Sequence, residues 1–171
     1  YTWKAGGYRD FGAIRQLYWM GRASGLVQFQ EALQMHQLPT FHVTYADATG
    51  NLFYLYNAKV GDKRNLDGMR IRNQAEAPRW DAPLPSNDAR FTWRGVVSVT
   101  QLPSLQNPAS GFLQACGNPP WTVTDDTEAL WGTFPVWFGR EPDTYRARRV
   151  RQMLSSGGKS FRDMQDMLYD V

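Results

Sequence analysis

Apolar residues first recur at helical spacing. Between residues 13 and 36, Ile14, Leu17 and Tyr18 form one stripe and Val27, Phe29, Ala32 and Leu33 a second, a pattern that predicts helix. Ser24-Gly25 interrupts the run, Ser24 is expected to cap a second helix there, and Pro39 ends it. From residue 40 the period shortens to two. Phe41, Val43 and Tyr45 share one face, with His42 and Thr44 on the other. Asp47, Gly50 and Asn51 supply turn chemistry, and Leu52, Tyr54 and Tyr56 alternate again. The pattern predicts a β-hairpin over residues 40–46 and 52–57.

Residues 58–88 are rich in Gly, Asn, Pro and charge, and read as a long surface loop. A short strand is expected within residues 91–99. A second is expected at 112–116, between the turn residues Asn107-Pro108 and Ser110-Gly111 and an Asn118-Pro119-Pro120-Trp121 corner. Pro142 and Asp143 open a basic helix expected to run through Leu154, and Ser155 to Gly158 break it. Ser160 and Asp163 spell a capping box for a last helix carrying Phe161, Met164, Met167 and Leu168. The expected class is α+β: an antiparallel β-hairpin with flanking helices, residues 1–171 forming a single fragment of one domain.

With 171 residues, 42% hydrophobic and 20% charged, the chain is long enough for one core. Its 14% of aromatic residues exceeds what such a core needs, and the surplus suits either a groove for acyl, aryl or sugar groups or burial against another chain. The net charge of +3 is modest, and the basic residues Arg146, Arg148, Arg149 and Arg151 crowd one segment. That excludes the broad stripe a nucleic-acid partner needs. Cys116 is the sole cysteine, so no internal disulfide and no cysteine-based zinc site can form; with no histidine beside it, it reads as a small buried hydrophobe. His36 and His42 are too few and too badly flanked for a metal site, and His42 is expected as a packed strand residue. No run of about 18 apolar residues is present, so no membrane span is expected. The chain starts at Tyr1 with neither Met nor a signal peptide, and a processed or trimmed longer precursor is the expectation.

The corner after residue 116 carries the candidate chemistry. Asn118 suits either an oxyanion donor or a turn residue bonding local backbone before Pro119. Gly117 suits close backbone approach to a ligand, or simply a positive φ. Arg146 is either an orienting cation or part of a solvated helix face. Trp121, Trp131 and Trp137 line an acyl pocket or pack in a core. Asp125, Asp126 and Glu128 are helix-start acids or oxygen ligands.

Several segments, in order, resemble the penicillin amidase family of N-terminal nucleophile hydrolases. Leu38-Pro39 followed by Tyr45-Ala46-Asp47 and Gly50-Asn51 is similar to the family's hairpin; Trp93-Arg94-Gly95 resembles a segment before a Leu-Pro turn; Asn107-Pro108-Ala109-Ser110-Gly111 resembles a strand entry; and Arg146 resembles an arginine near the nucleophile. The resemblance implies an αββα sandwich, with this chain matching the middle of the large subunit. It implies hydrolysis of an N-acyl compound, such as a β-lactam antibiotic or an N-acyl-homoserine lactone, by an N-terminal serine acting as its own base. The implied partners are the small subunit and the serine-bearing piece, with no catalytic cofactor, a structural calcium at Asp126, and a periplasmic or secreted setting. Gly117, Asn118 and Arg146 fall to the catalytic side, Trp121 and Trp131 to the substrate. The chain departs from the family in two places. Residue 1 is Tyr, so the nucleophile belongs to another piece and this chain alone is expected to be inactive. Gly117-Asn118 stands where relatives carry Asn-Asn or Asn-Asp, the first asparagine being the oxyanion donor; the second reading that follows is a non-catalytic binding module.

Overall fold

A computed structural model describes residues 4–63, 83–85, 87–88, 92–93, 95–125 and 142–169. Its contacts divide the chain into two units, one of Tyr1–Phe41, Tyr56–Leu102 and Phe134–Gly139, the other of His42–Leu55, Pro103–Thr133 and Arg140–Val171.

In the first unit, helix α1 spans Ala13–Arg22 and α2 spans Leu26–Leu33. The break falls at Ser24-Gly25 as expected, but the cap differs. Gly25 is the N-cap, in fully extended backbone, while the Ser24 N–H and hydroxyl both bond Gln28 Oε1, at 2.9 and 3.0 Å. A glutamine one turn inside the helix thus reaches back to Ser24. After α2 the chain reverses at His36, whose φ of 47° is left-handed. Two fully buried amides then grip the returning segment. Gln16 Oε1 accepts from the N–H groups of Gln37 and Leu38, at 2.6 and 3.1 Å, and Asn57 Nδ2 donates to the carbonyl of Pro39 at 2.8 Å. Leu26, Ala32, Leu33, Leu38, Ala58, Val97, Val99 and Leu102 form the apolar core. Lys59, largely buried, pairs with Asp10 at 2.6 Å and donates to the His36 carbonyl. Among the described residues of 91–99, the expected strand is represented by an antiparallel bridge, Gly61 with Val96. Trp93 lies flat on Gly61, where a Cβ would come within 2.5 Å of the ring.

A three-stranded sheet runs in the order β1 (Phe41–Ala46), β2 (Leu52–Asn57), β3 (Ser104–Gln106), all of it in the second unit except Phe41, Tyr56 and Asn57. The hairpin is where the alternation put it. Its turn is organised by Asp47, whose carboxylate accepts from Tyr45 Oη, Thr49 N–H and hydroxyl, and the N–H and side chain of Asn51. Successive residues Phe53, Tyr54 and Leu55 are all buried, as a central strand covered on both faces requires. β3 pairs antiparallel with β2, Tyr54 facing Leu105. Asn107, at φ 47°, prolongs the pairing: its N–H bonds the Leu52 carbonyl and its Oδ1 the Leu52 N–H. The strand expected at 112–116 does not form. Gln114 makes one ladder-like bond, its N–H to the Val123 carbonyl at 2.8 Å, and the third strand is Ser104–Gln106 instead. Helix α3, Tyr145–Leu154, is capped by Thr144, whose hydroxyl accepts from Ala147 N–H. The expected capping box of Ser160 and Asp163 opens α4, Phe161–Asp166. Among the described residues no helix is long and apolar enough to cross a membrane.

Candidate functional site

The corner after Cys116 is held by polar groups from three directions. Gly117 takes φ 76°, in the left-handed region that glycine enters without strain. Asn118 turns inward, 3% exposed. Its Oδ1 accepts from Cys116 N–H at 2.9 Å and its Nδ2 donates to the Pro119 carbonyl at 2.9 Å. A turn locked in this way matches the second of the two roles open to Asn118 in the sequence, the local backbone bond. Pro119 then feeds a 3-10 turn, Pro120–Thr122, closed by Thr122 N–H on the Pro119 carbonyl.

Helix α3 grips the corner through two of its four arginines. Arg146, exposed, donates from Nε and Nη2 to the Cys116 carbonyl, at 2.9 and 2.5 Å. Arg151 donates to the Thr122 carbonyl at 2.9 Å and forms a two-pronged ion pair with Asp143. This hydrogen bonding, together with the Arg151 and Arg148 charges, holds the Asp143 carboxyl below its usual range despite partial burial. Arg148 lies over the Tyr145 ring at 4.6 Å, and Arg149 bonds Gln152 one turn on. The basic run therefore splits: Arg146 and Arg151 bond the carbonyls of the corner, while Arg148 also faces Asp143 at 3.8 Å.

The sequence did not mark Gln114 or Arg151. Gln114, 5% exposed, accepts from the Cys116 thiol at 2.7 Å and donates to the Thr122 carbonyl at 2.5 Å, tying both sides of the corner together. A glutamine within an apolar run is the sequence signal that could have found it. For Arg151 no local pattern separates it from its neighbours. Cys116 is half-buried, not fully buried as expected. Burial raises its thiol pKa, with Arg146 opposing, so at neutral pH it stays a protonated thiol and a poor nucleophile. His42, on β1, bonds the Tyr54 hydroxyl at 2.8 Å and stacks on its ring, the packed role expected of it.

Trp121 is buried, 8% exposed. Trp131, Trp137, Asp126 and Glu128 lie outside the described residues, so the acyl-pocket and calcium assignments that rest on Trp131 and Asp126 have no structural counterpart here. The acids that are described do not fit a cation. Asp125 accepts from Ser155 and faces Arg151 at 4.0 Å, Asp143 is taken up by Arg151, and no group of three potential ligands gathers among the described residues.

The corner thus combines fixed backbone, an inward asparagine and a guanidinium seated on a carbonyl. The chain matches the penicillin amidase family over residues 2–171, and it belongs to that family. It is 25% identical to penicillin G acylase of Escherichia coli over 99 residues, which are 56% of this chain and 10% of that protein. The match thus spans about a tenth of the relative's length.

Proposed function

We propose that this chain forms one wall of the active site of an acylase, which cleaves the amide bond of an N-acyl compound such as a β-lactam antibiotic or an N-acyl-homoserine lactone. The observation that carries the reading is family membership across nearly the whole chain. On this reading the nucleophile is an N-terminal serine on another piece of the same precursor. Its α-amino group titrates near neutrality and takes the hydroxyl proton as oxygen attacks the carbonyl. The tetrahedral oxyanion is met by donors from residues 117–118, which Arg146 orients. Collapse expels the amine, protonated by the same α-amino group, and water repeats the sequence on the acyl-enzyme. Trp121 and Trp131 are assigned to the acyl side. The chain belongs to the large subunit of an αββα sandwich, pairs with the small subunit, uses no catalytic cofactor, and works in the periplasm or outside the cell. Exposed apolar side chains support the idea of further pieces covering it: Phe11 is 89% exposed, Ile14 84% and Phe161 80%.

A second reading, a binding module without turnover, is favoured by one observation. The Asn118 amide is spent on local bonds, and position 117 has no side chain. One experiment separates the two. The precursor containing this chain is expressed, and the purified product is assayed against p-nitroanilides of phenylacetic and straight-chain acids, with mass analysis of every piece. The acylase reading expects release of nitroaniline and a transient acyl adduct on a serine-initiated piece. Tight acyl binding by a folded protein with no turnover establishes the binding module instead.

A further inference from the structure

The peptide between Cys116 and Gly117 is held in an unusual way. Its carbonyl is fixed by two donors of a single guanidinium, at 2.9 and 2.5 Å. Both bonds converge on the one oxygen and are assisted by the charge of the guanidinium. The chain has no cis bonds among the described residues, so the Gly117 N–H points opposite to the carbonyl, away from Arg146. That N–H has no hydrogen-bond partner among the described residues, and Gly117 is exposed. Two neighbouring donors are engaged locally: Cys116 N–H goes to Asn118 Oδ1, and Asn118 Nδ2 to the Pro119 carbonyl. A side chain at residue 117 would be strained by the φ of 76°, and its Cβ would lie 2.8 Å from Arg146 Nη2, so the guanidinium would have to shift. The bare glycine lets the arginine sit where it does.

We propose that the backbone N–H of Gly117, aimed by Arg146, is the donor this chain contributes to the oxyanion of acyl transfer, with Asn118 bracing the turn rather than touching the substrate. The inference rests on the acylase reading and deepens it. Gly117 is then the catalytic residue, and Arg146 a positioning residue acting through the peptide it holds. A neutral N–H pinned by a cation suits the role. The peptide is ordered before substrate arrives, so no reorganisation is needed as charge develops on the oxygen. The positive charge behind the carbonyl further polarises the N–H.

The test uses the complete processed enzyme. Cys116 permits ligation at the Ala115–Cys116 junction, so the Cys116–Gly117 amide can be replaced by an ester, which deletes this N–H and also weakens the Cys116 carbonyl as an acceptor, an effect that the Arg146 variant reports separately. The expected result is a fall in kcat of about 10²–10³-fold, with KM within twofold and the unfolding midpoint unmoved. Arg146→Lys, which cannot make the two-pronged contact, is expected to lower kcat in the same direction with KM unchanged. Retention of kcat in the ester, or equal losses in kcat and stability in both variants, overturns the assignment. If the unmodified enzyme hydrolyses no amide, the acylase reading itself fails. The donor is then judged by NMR in that same protein: the Gly117 amide proton moves downfield on titration with an alkylphosphonate if it is an anion donor, and an unmoved resonance refutes it.

Discussion

Replacing Gln16 with methionine tests the way the first unit folds its returning segment. The side chain is fully buried, and its Oε1 is the acceptor for two N–H groups, those of Gln37 and Leu38, at 2.6 and 3.1 Å. Methionine keeps the length and most of the volume but removes the acceptor. Leu38 is 3% exposed, so its orphaned N–H is denied water and costs about 1–3 kcal/mol; the Gln37 N–H is only part-buried and costs less. One term runs the other way. Gln16 Nε2 is buried with no partner, a cost the wild type already carries and methionine relieves. The two fully buried terms largely offset each other, and the part-buried Gln37 N–H leaves a net loss of about 0.5–1.5 kcal/mol, or a fall in Tm of about 1–6 °C for a chain of this size. Thermal unfolding by circular dichroism measures the total. Amide hydrogen exchange locates it, with protection expected to drop at Gln37 and Leu38 and to persist in the interior of α2. An unchanged Tm, or exchange at those two amides no faster than in wild type, refutes the claim that this side chain holds the segment.

Three further outcomes follow from the same kind of contact. Gly61→Ala drives a methyl into Trp93 and is expected to cost about 1–3 kcal/mol in denaturant unfolding, with altered tryptophan fluorescence in the folded protein. His36 has its pKa held below the ordinary 6.5 by burial first and by the Lys59 charge second, opposed by its bond to Ala58 and by Asp10. The unfolded chain therefore binds the proton more readily, so stability falls as pH drops below about 6.5 and levels off below the folded pKa. In His36→Asn, which tolerates the positive φ, the Tm slope between pH 5 and 7 is expected to flatten. Asp47 has its carboxyl held far below the carboxylate range, chiefly by Thr49 and Asn51. Its stabilisation is present above the unfolded pKa and is lost only in strong acid, so Asp47→Ala should lower Tm at pH 7 and erase part of the acid-induced decline.

What the sequence made legible follows the range of the forces involved. The hairpin and its turn were readable because alternation and the Asp47–Asn51 chemistry act within a few residues, and the Ser160 box for the same reason. The strand expected at 112–116 failed because strand formation needs a neighbour. Residues 104–106 took the edge of β2, and Asn107 secured them there by bonding Leu52 from 55 residues away in sequence. Ser24 lost its capping role to a side chain from inside the helix, a competition that propensity does not rank.

The candidate site divides along the same line. The residue types at 117, 118 and 146 were readable, but their division of labour was not, because it depends on which way one peptide faces. Arg146 and Arg151 look alike within the basic run, yet one fixes the Cys116 carbonyl and the other the Thr122 carbonyl, two ends of the same corner. The glycine that reads in sequence as a missing donor is, in the folded chain, the residue that leaves room for a guanidinium to seat on its neighbour's carbonyl. On the proposed reading, the backbone N–H aimed by Arg146 takes the place of a donor carried on a side chain, and a glycine at 117 is compatible with catalysis as long as the arginine stays.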